Sequence, residues 1–185
     1  MELTETSAAT ADDRESEEDE GTAVGRRLAG KFITFKLADE EYGVEILKVQ
    51  ELLRLMQITR VARAKDYIRG VINLRGKVIP VADLRVKFEM GRAGETDLSA
   101  IIVMQCGPPG GELVMGIFVD EVLEVLELSA KQIEPPPNYG AGSVGLDFVL
   151  GVGKVDHRVV FLLDIDRVLT RQDKYALTAD MEAAE

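Results

Sequence analysis

The chain has 185 residues, of which 46% are apolar and 30% charged, and a formal net charge of −11. That composition suits one compact unit or two small ones sharing a core. Residues 1–25 hold nine acids against Arg14 alone, a net of −8, whereas everything from Arg26 onward sums to only −3. The acidic start has neither the basic flank nor the apolar run of a secretory or transit segment, and no stretch approaches the ~18 apolar residues of a membrane span. One cysteine and one histidine exclude an internal disulfide and any multi-cysteine or multi-histidine metal site. The expectation is a cytoplasmic protein.

Residues 1–30 read as an acidic, disordered tail, because Glu, Asp, Ser, Thr and Ala cannot bury enough apolar surface to offset the entropy of ordering. Residues 31–170 read as the folded domain and 171–185 as a polar tail. Phe32–Leu37 and Tyr42–Ile46 form a predicted hairpin around Ala38-Asp39-Glu40-Glu41. Lys48–Leu55 fits a helix or a strand. Ala64–Arg69 predicts a helical turn or two closed by Gly70. Val71–Leu74 and Lys77–Val81 flank Arg75-Gly76 as a second hairpin, with Pro80 expected at an edge or bulge because it has no amide hydrogen. Asp83 is a candidate cap for a helix over Leu84–Phe88.

The second half continues with strands at Ala100–Gln105 and Leu113–Val119 around a Gly-Pro-Pro-Gly-Gly turn. Ser129 is a candidate cap for Ala130–Ile133, ended by Pro135-Pro136-Pro137. Strands at Gly151–Val155 and Val159–Leu163 flank Asp156-His157-Arg158, and Asp164 is placed to cap Ile165–Leu169.

The halves repeat. Tyr42–Glu51 aligns with Met115–Glu124 at an offset of 73, and Gly70-Val71, Val78-Ile79 and Asp83-Leu84 align with Gly151-Val152, Val159-Val160 and Asp164-Ile165 at an offset of 81. Two copies are too few for a solenoid. They imply two similar hairpin-rich β-barrels packed or interleaved into one body.

Charge divides within the folded part: Lys48–Arg92 sums to +7 and residues 93–170 to −8. A basic first half is compatible with nucleic-acid binding, but Tyr67 and Phe88 are its only aromatic residues, too few for base stacking. A charged surface that orients a protein partner fits better.

No catalytic set assembles. His157 belongs to a solvated turn, Cys106 ends a strand as a structural thiol, and Asp164 with Asp166 reads as a helix cap and its first-turn acid. The Gly107–Gly111 turn lacks the lysine and helix of a phosphate loop. Arg75 is the odd residue, a long cation at the first hairpin tip where the second copy has Asp156.

The runs Tyr42–Glu51, Tyr67-Ile68-Arg69-Gly70-Val71-Ile72-Asn73-Leu74-Arg75-Gly76 and Val78-Ile79-Pro80-Val81-Ala82-Asp83-Leu84-Arg85 closely resemble the CheW family of bacterial chemotaxis coupling proteins. The resemblance spans about Lys31 to Thr170. It implies a mainly β fold of two interleaved five-stranded SH3-like barrels, roughly 31–95 with a C-terminal contribution and 96–165, with short helices and a C-terminal helix. It implies no catalysis, cofactor or metal. Its partners would be the regulatory domain of the histidine kinase CheA and the cytoplasmic tips of methyl-accepting chemoreceptors, in membrane-associated arrays with no insertion of this chain into the bilayer. By position, Val49, Glu51, Gly70 and Arg75 would be the coupling residues, with Glu51 and Arg75 as an opposite-charge pair. The chain departs from the family in reading Val61-Ala62-Arg63-Ala64-Lys65-Asp66 where a proline-containing loop is common. The alternative to an adaptor is a nucleic-acid-binding β-barrel using residues 48–92.

Overall fold

The computed structural model describes residues 22–92, 94–107, 113–137 and 147–168. The expected polar tail at 171–185, most of the expected acidic tail, and most of the Gly107–Gly111 turn lie outside these. A short helix α1 (Ala23–Leu28) leads into β1 (Gly30–Leu37) and β2 (Glu40–Glu45). After a single 3-10 turn, Ile46–Lys48, come β3 (Val49–Arg54), β4 (Ile68–Leu74), β5 (Lys77–Asp83) and α2 (Leu84–Lys87). The second half contributes β6 (Ala100–Cys106), β7 (Leu113–Val119), β8 (Glu121–Leu128), a 3-10 turn Ala130–Gln132, β9 (Ile133–Glu134), β10 (Val149–Val155), β11 (Arg158–Leu163) and α3 (Ile165–Val168).

The strands form two sheets in the orders β8-β1-β2-β11-β10-β9 and β3-β6-β7-β5-β4. The fold is mainly β and interleaved, but the sheets do not divide the chain near residue 95. The first two strands join the last four, and β3–β7 stand between them. The first sheet also has six strands rather than five, because Ile133–Glu134 adds a two-residue edge.

The internal repeat explains this exchange. β5 of the first half runs parallel to β7 of the second, with Val81 opposite Gly116. β11 of the second half runs parallel to β2 of the first, with Leu162 opposite Gly43. These are the same pair under the 81- and 73-residue offsets, so each half completes the other's sheet. The hairpin registers recur too: Val71 faces Pro80 as Val152 faces Phe161, and a bulge falls between Ile68 and Gly70 as between Val149 and Gly151.

Burial on both faces explains the near-continuous apolar strands. On β1, Ile33 and Phe35 face a core shared with Ile102, Met104, Met115 and Ile117 of the other sheet. Phe32, next to Ile33 and therefore on the opposite face of the strand, instead joins Leu128, Ile133, Val160 and Leu162 in a core private to the first sheet. On β6, Ile101 and Val103 point into the matching private core with Ile72, Ile79 and Phe118. Alternate residues thus serve alternate cores.

Several expectations change. Residues 23–28, inside the expected disordered tail, form α1, because the Thr22 hydroxyl accepts the Gly25 N–H (2.9 Å) and Leu28 is buried in the first sheet's core. Residues 64–67 form irregular chain and a turn at Asp66-Tyr67 rather than a helix, and β4 starts at Ile68. Lys48–Leu55 resolves into the end of a 3-10 turn followed by β3. Pro80 lies on an interior strand, which is tolerated because Val71 opposite it turns its N–H and C=O to Thr59 (2.8 and 2.9 Å) and the β5–β7 ladder begins at Val81. The caps hold: Asp83 accepts the Arg85 and Val86 N–H groups, and Asp164 accepts that of Asp166.

Candidate interaction surface

β3 and β4 are opposite edges of the second sheet, and the side chains of Glu51 and Arg75 bridge them. Arg75 occupies the tip between β4 and β5 with φ +53°, followed by Gly76 at φ +83°, the left-handed pair that a two-residue hairpin requires. The β3–β6 register shifts between Val49 and Glu51, and such a bulge re-aims the side chains around it. Val49 accordingly packs on the shared core, whereas Glu51 meets Arg75 in a two-pronged ion pair at 2.7 and 2.9 Å. The expected pairing is therefore present. Arg75 remains 73% exposed and Glu51 29%. The hydrogen bond from Arg75 holds the Glu51 carboxyl below its usual range.

Gly70 does not face outward. It is buried, with φ +145°, and a Cβ there would lie 2.1 Å from the carbonyl oxygen of Thr59. Its place in the fold is to let the 58–59 segment approach β4 and pair with Val71. Any effect of Gly70 on a partner passes through the backbone.

Sequence reasoning missed the counterpart in the first sheet. Glu124, aligned with Glu51, lies on β8 where that strand shifts register against β1, and Arg158 contacts it at 2.7 Å from the β10–β11 hairpin. Arg158 also reaches Glu41 at 3.4 Å. The second copy therefore does carry a tip cation, displaced from the Asp156 position onto the following strand. Exposed apolar residues repeat as well: Leu52 and Val78 match Val125 and Val159. The offsets of 73 and 81 residues were the signal that could have found both.

A third feature lies between the sheets. A cavity of about 280 Å³ is lined by Val44, Met104, Leu150 and Leu163, with Lys48 and Asp166 paired at 2.9 Å on its wall. Beside it, a second hollow of about 330 Å³ is lined by Phe32, Ile46 and Leu47. Leu47, on the 3-10 turn, is 93% exposed, an unusual state for leucine.

Part of the charge division along the chain is consumed inside the molecule. Lys48 pairs with Asp166, Arg85 with Asp120 (2.8 Å), and Arg69 with both Asp83 (2.9 Å) and Glu95 (3.3 Å). Lys48, Arg69 and Arg85 thus reach acids of the second half, and these cations, which a nucleic-acid interface would need, are already engaged. His157 is exposed in its turn and Cys106 is buried.

A family model described as a CheW-like domain matches residues 31–173. The chain belongs to the CheW family. It is 39% identical over 158 residues to the chemotaxis protein CheW of Klebsiella aerogenes, covering 83% of this chain and 92% of that one. It is 28% identical over 150 residues to CheW of Bacillus subtilis, covering 81% and 93%. The crystal structure of the scaffolding protein TtCheW from Thermoanaerobacter tengcongensis superimposes with a TM-score of 0.69 at 32% identity, covering 79% of this chain and 96% of that one. The CheW-like match covers both halves of the repeat, from β1 to α3, and leaves α1 outside it. No helix among the described residues is long and apolar enough to cross a membrane.

Proposed function

We propose that this chain is a non-enzymatic coupling adaptor that links methyl-accepting chemoreceptors to the histidine kinase CheA and passes receptor state to the kinase. The observation that carries the reading is the CheW-like match over residues 31–173, in a chain whose relatives include a scaffolding protein. The geometry supports a division of labour. Leu52 and Val78, exposed on the sheet that carries the Glu51–Arg75 pair, suit apposition against the kinase's own β-rich regulatory domain. The groove between the sheets, with Leu47 at the adjoining hollow, suits an apolar stripe on a receptor helix.

Val49, Glu51, Gly70 and Arg75 then act in three ways. Val49 seats β3 on the shared core, Gly70 holds the 58–59 segment against β4, and Glu51 with Arg75 presents a rigid charged clamp. Binding of receptor and of kinase is linked, each favouring the other through the same body. The site of action is the receptor array, which the chain reaches through its partners rather than by entering the bilayer.

Co-sedimentation with receptor-bearing membranes and purified CheA tests the reading. The expected result is a ternary complex in which receptor control of kinase activity depends on this chain. Failure to bind either partner overturns it, and salt-sensitive binding to single-stranded nucleic acid instead would favour the alternative.

A further inference from the structure

Two of the ion pairs named above are one arrangement built twice. β2 and β11 are parallel neighbours in the first sheet, as β5 and β7 are in the second, so each pair of strands ends on the same side. Where β5 and β7 end, Asp120 accepts the Ala38 N–H just after β1 (2.7 Å) and is held by Arg85 of α2 (2.8 Å). Where β2 and β11 end, Asp166 of α3 accepts the Gly107 N–H just after β6 and is held by Lys48 (2.9 Å). Arg85 and Asp166 correspond under the 81-residue offset, and Asp120 corresponds under the 73-residue offset to Leu47, beside Lys48. The charges are exchanged, yet each junction ties a backbone N–H of one sheet to an aspartate fixed at the strand ends of the other. The junctions stand at opposite ends of β2, whose six residues span roughly 20 Å.

They are not equally firm. Asp120 also donates its own N–H to the Lys36 carbonyl (3.1 Å), and Arg85 also donates to the Gly91 carbonyl (3.2 Å). Arg85 and Asp120 are 19% and 21% exposed, whereas Lys48 and Asp166 are 34% and 31%. Lys48 and Asp166 also stand on the wall of the cavity of about 280 Å³, where the sheets enclose a hollow instead of packed side chains. A partly exposed ion pair holds weakly and is readily exchanged for another charge. Lys48 is joined directly to Val49, the first residue of the strand that carries Glu51.

We propose that Lys48 and Asp166 form a releasable latch between the two sheets, with Arg85 and Asp120 as the fixed hinge. An occupant of the groove that offers Lys48 a carboxylate binds the released form better and therefore populates it. Release frees the start of β3 and so reaches the Glu51–Arg75 pair. This use of the latch rests on the receptor-groove reading, whereas the latch itself is a property of the chain alone.

Amide hydrogen exchange in the full chain follows both ties, through the N–H groups of Gly107 and Ala38. Lys48→Met should speed exchange at Gly107 at least tenfold and leave Ala38 within twofold. Asp166→Asn, which keeps the shape and removes the charge, should act in the same direction, and Arg85→Met should leave Gly107 unchanged. The latch is overturned if Lys48→Met or Asp166→Asn leaves Gly107 unchanged, or if either speeds Ala38 as much as Gly107. Adding a soluble chemoreceptor tip fragment to the unsubstituted chain should speed Gly107 while Ala38 stays protected. Unchanged or slower exchange at Gly107 in a complex that forms overturns release by the receptor. Absence of a complex overturns the receptor reading alone, and the variants still decide the latch.

Discussion

The two copies of the repeat share a backbone plan and use it differently. Each has an edge strand with a bulge, a hairpin whose tip cation reaches a glutamate on that strand, and a capped turn of helix after the hairpin. In the second sheet Arg75 places both prongs on Glu51 and stays 73% exposed. In the first sheet Arg158 divides itself between Glu41 and Glu124 and is 40% exposed. One arginine is presented to solvent with its geometry fixed, and the other staples two strands. A repeat can therefore keep its fold in both copies while leaving one tip cation more exposed than the other. Exposed pairs of this kind add little to stability.

The sharpest way to break the comparison is at the caps. Asp83 is fully buried, holds Arg69 and caps α2, while Asp164 is 25% exposed and caps α3. Asp83→Ala should cost about 3 kcal/mol, because it leaves a largely buried guanidinium without its main partner, and Asp164→Ala only about 1 kcal/mol. Urea unfolding midpoints measure both, and equal costs would show the copies to be energetically alike.

Next in size is the glycine at the shared bulge. Gly70→Ala brings a Cβ to 2.1 Å from a backbone oxygen at a left-handed φ, whereas at Gly151 the nearest atom, the Glu134 oxygen, is 2.9 Å away. The first substitution should cost about 2–3 kcal/mol and the second about 1–2. The same urea measurement decides, and a larger loss at Gly151 contradicts the account.

The tips come third. Arg75→Ala should weaken receptor control of the kinase severalfold with little change in the melting temperature, and Arg158→Ala should leave that control near normal. Swapping the first pair, Glu51→Arg with Arg75→Glu, should recover part of what either single change loses. A double variant no better than the singles would sever the pair from coupling.

Smallest are the pH effects, and both lie in the first copy. Glu51 sits below its ordinary value of 4.5 because Arg75 hydrogen-bonds the ionised form. As pH falls the unfolded chain takes up this proton first, so the pair's contribution is complete above that ordinary value and is lost as pH drops through the folded one. Carboxyl chemical shifts should show a depressed midpoint that Arg75→Gln restores. Tyr42 is displaced upward from 10.0, chiefly by burial and then by its hydrogen bond to Glu40. From about pH 10 the unfolded chain ionises first, so stability falls as pH rises. Tyrosinate absorbance should show a late-titrating group that Tyr42→Phe removes, and Met115 at the matching position offers none.

The strands at Leu113–Val119 and around Arg75-Gly76 were readable because turn residues bracket β-rich runs, and the caps at Asp83 and Asp164 because aspartate ends a strand before a helical turn. The segment at 64–67 was misread because a short apolar-and-basic stretch closed by glycine also fits a helix. A positive φ at Gly70 was legible because glycine closes the stretch, but the approach of Thr59, which pairs with Val71, is invisible in one dimension.

By itself the sequence determined the two-copy repeat, the mainly β content, the hairpin tips and the opposite charges of Glu51 and Arg75, because all depend on local propensity and spacing. Which strand closes which sheet was decided only in three dimensions, since two similar halves can complete themselves or each other and the choice rests on packing one shared core. For the same reason, only the folded chain showed that Lys48, Arg69 and Arg85 of the basic first half are paired with Asp166, Glu95 and Asp120 of the second.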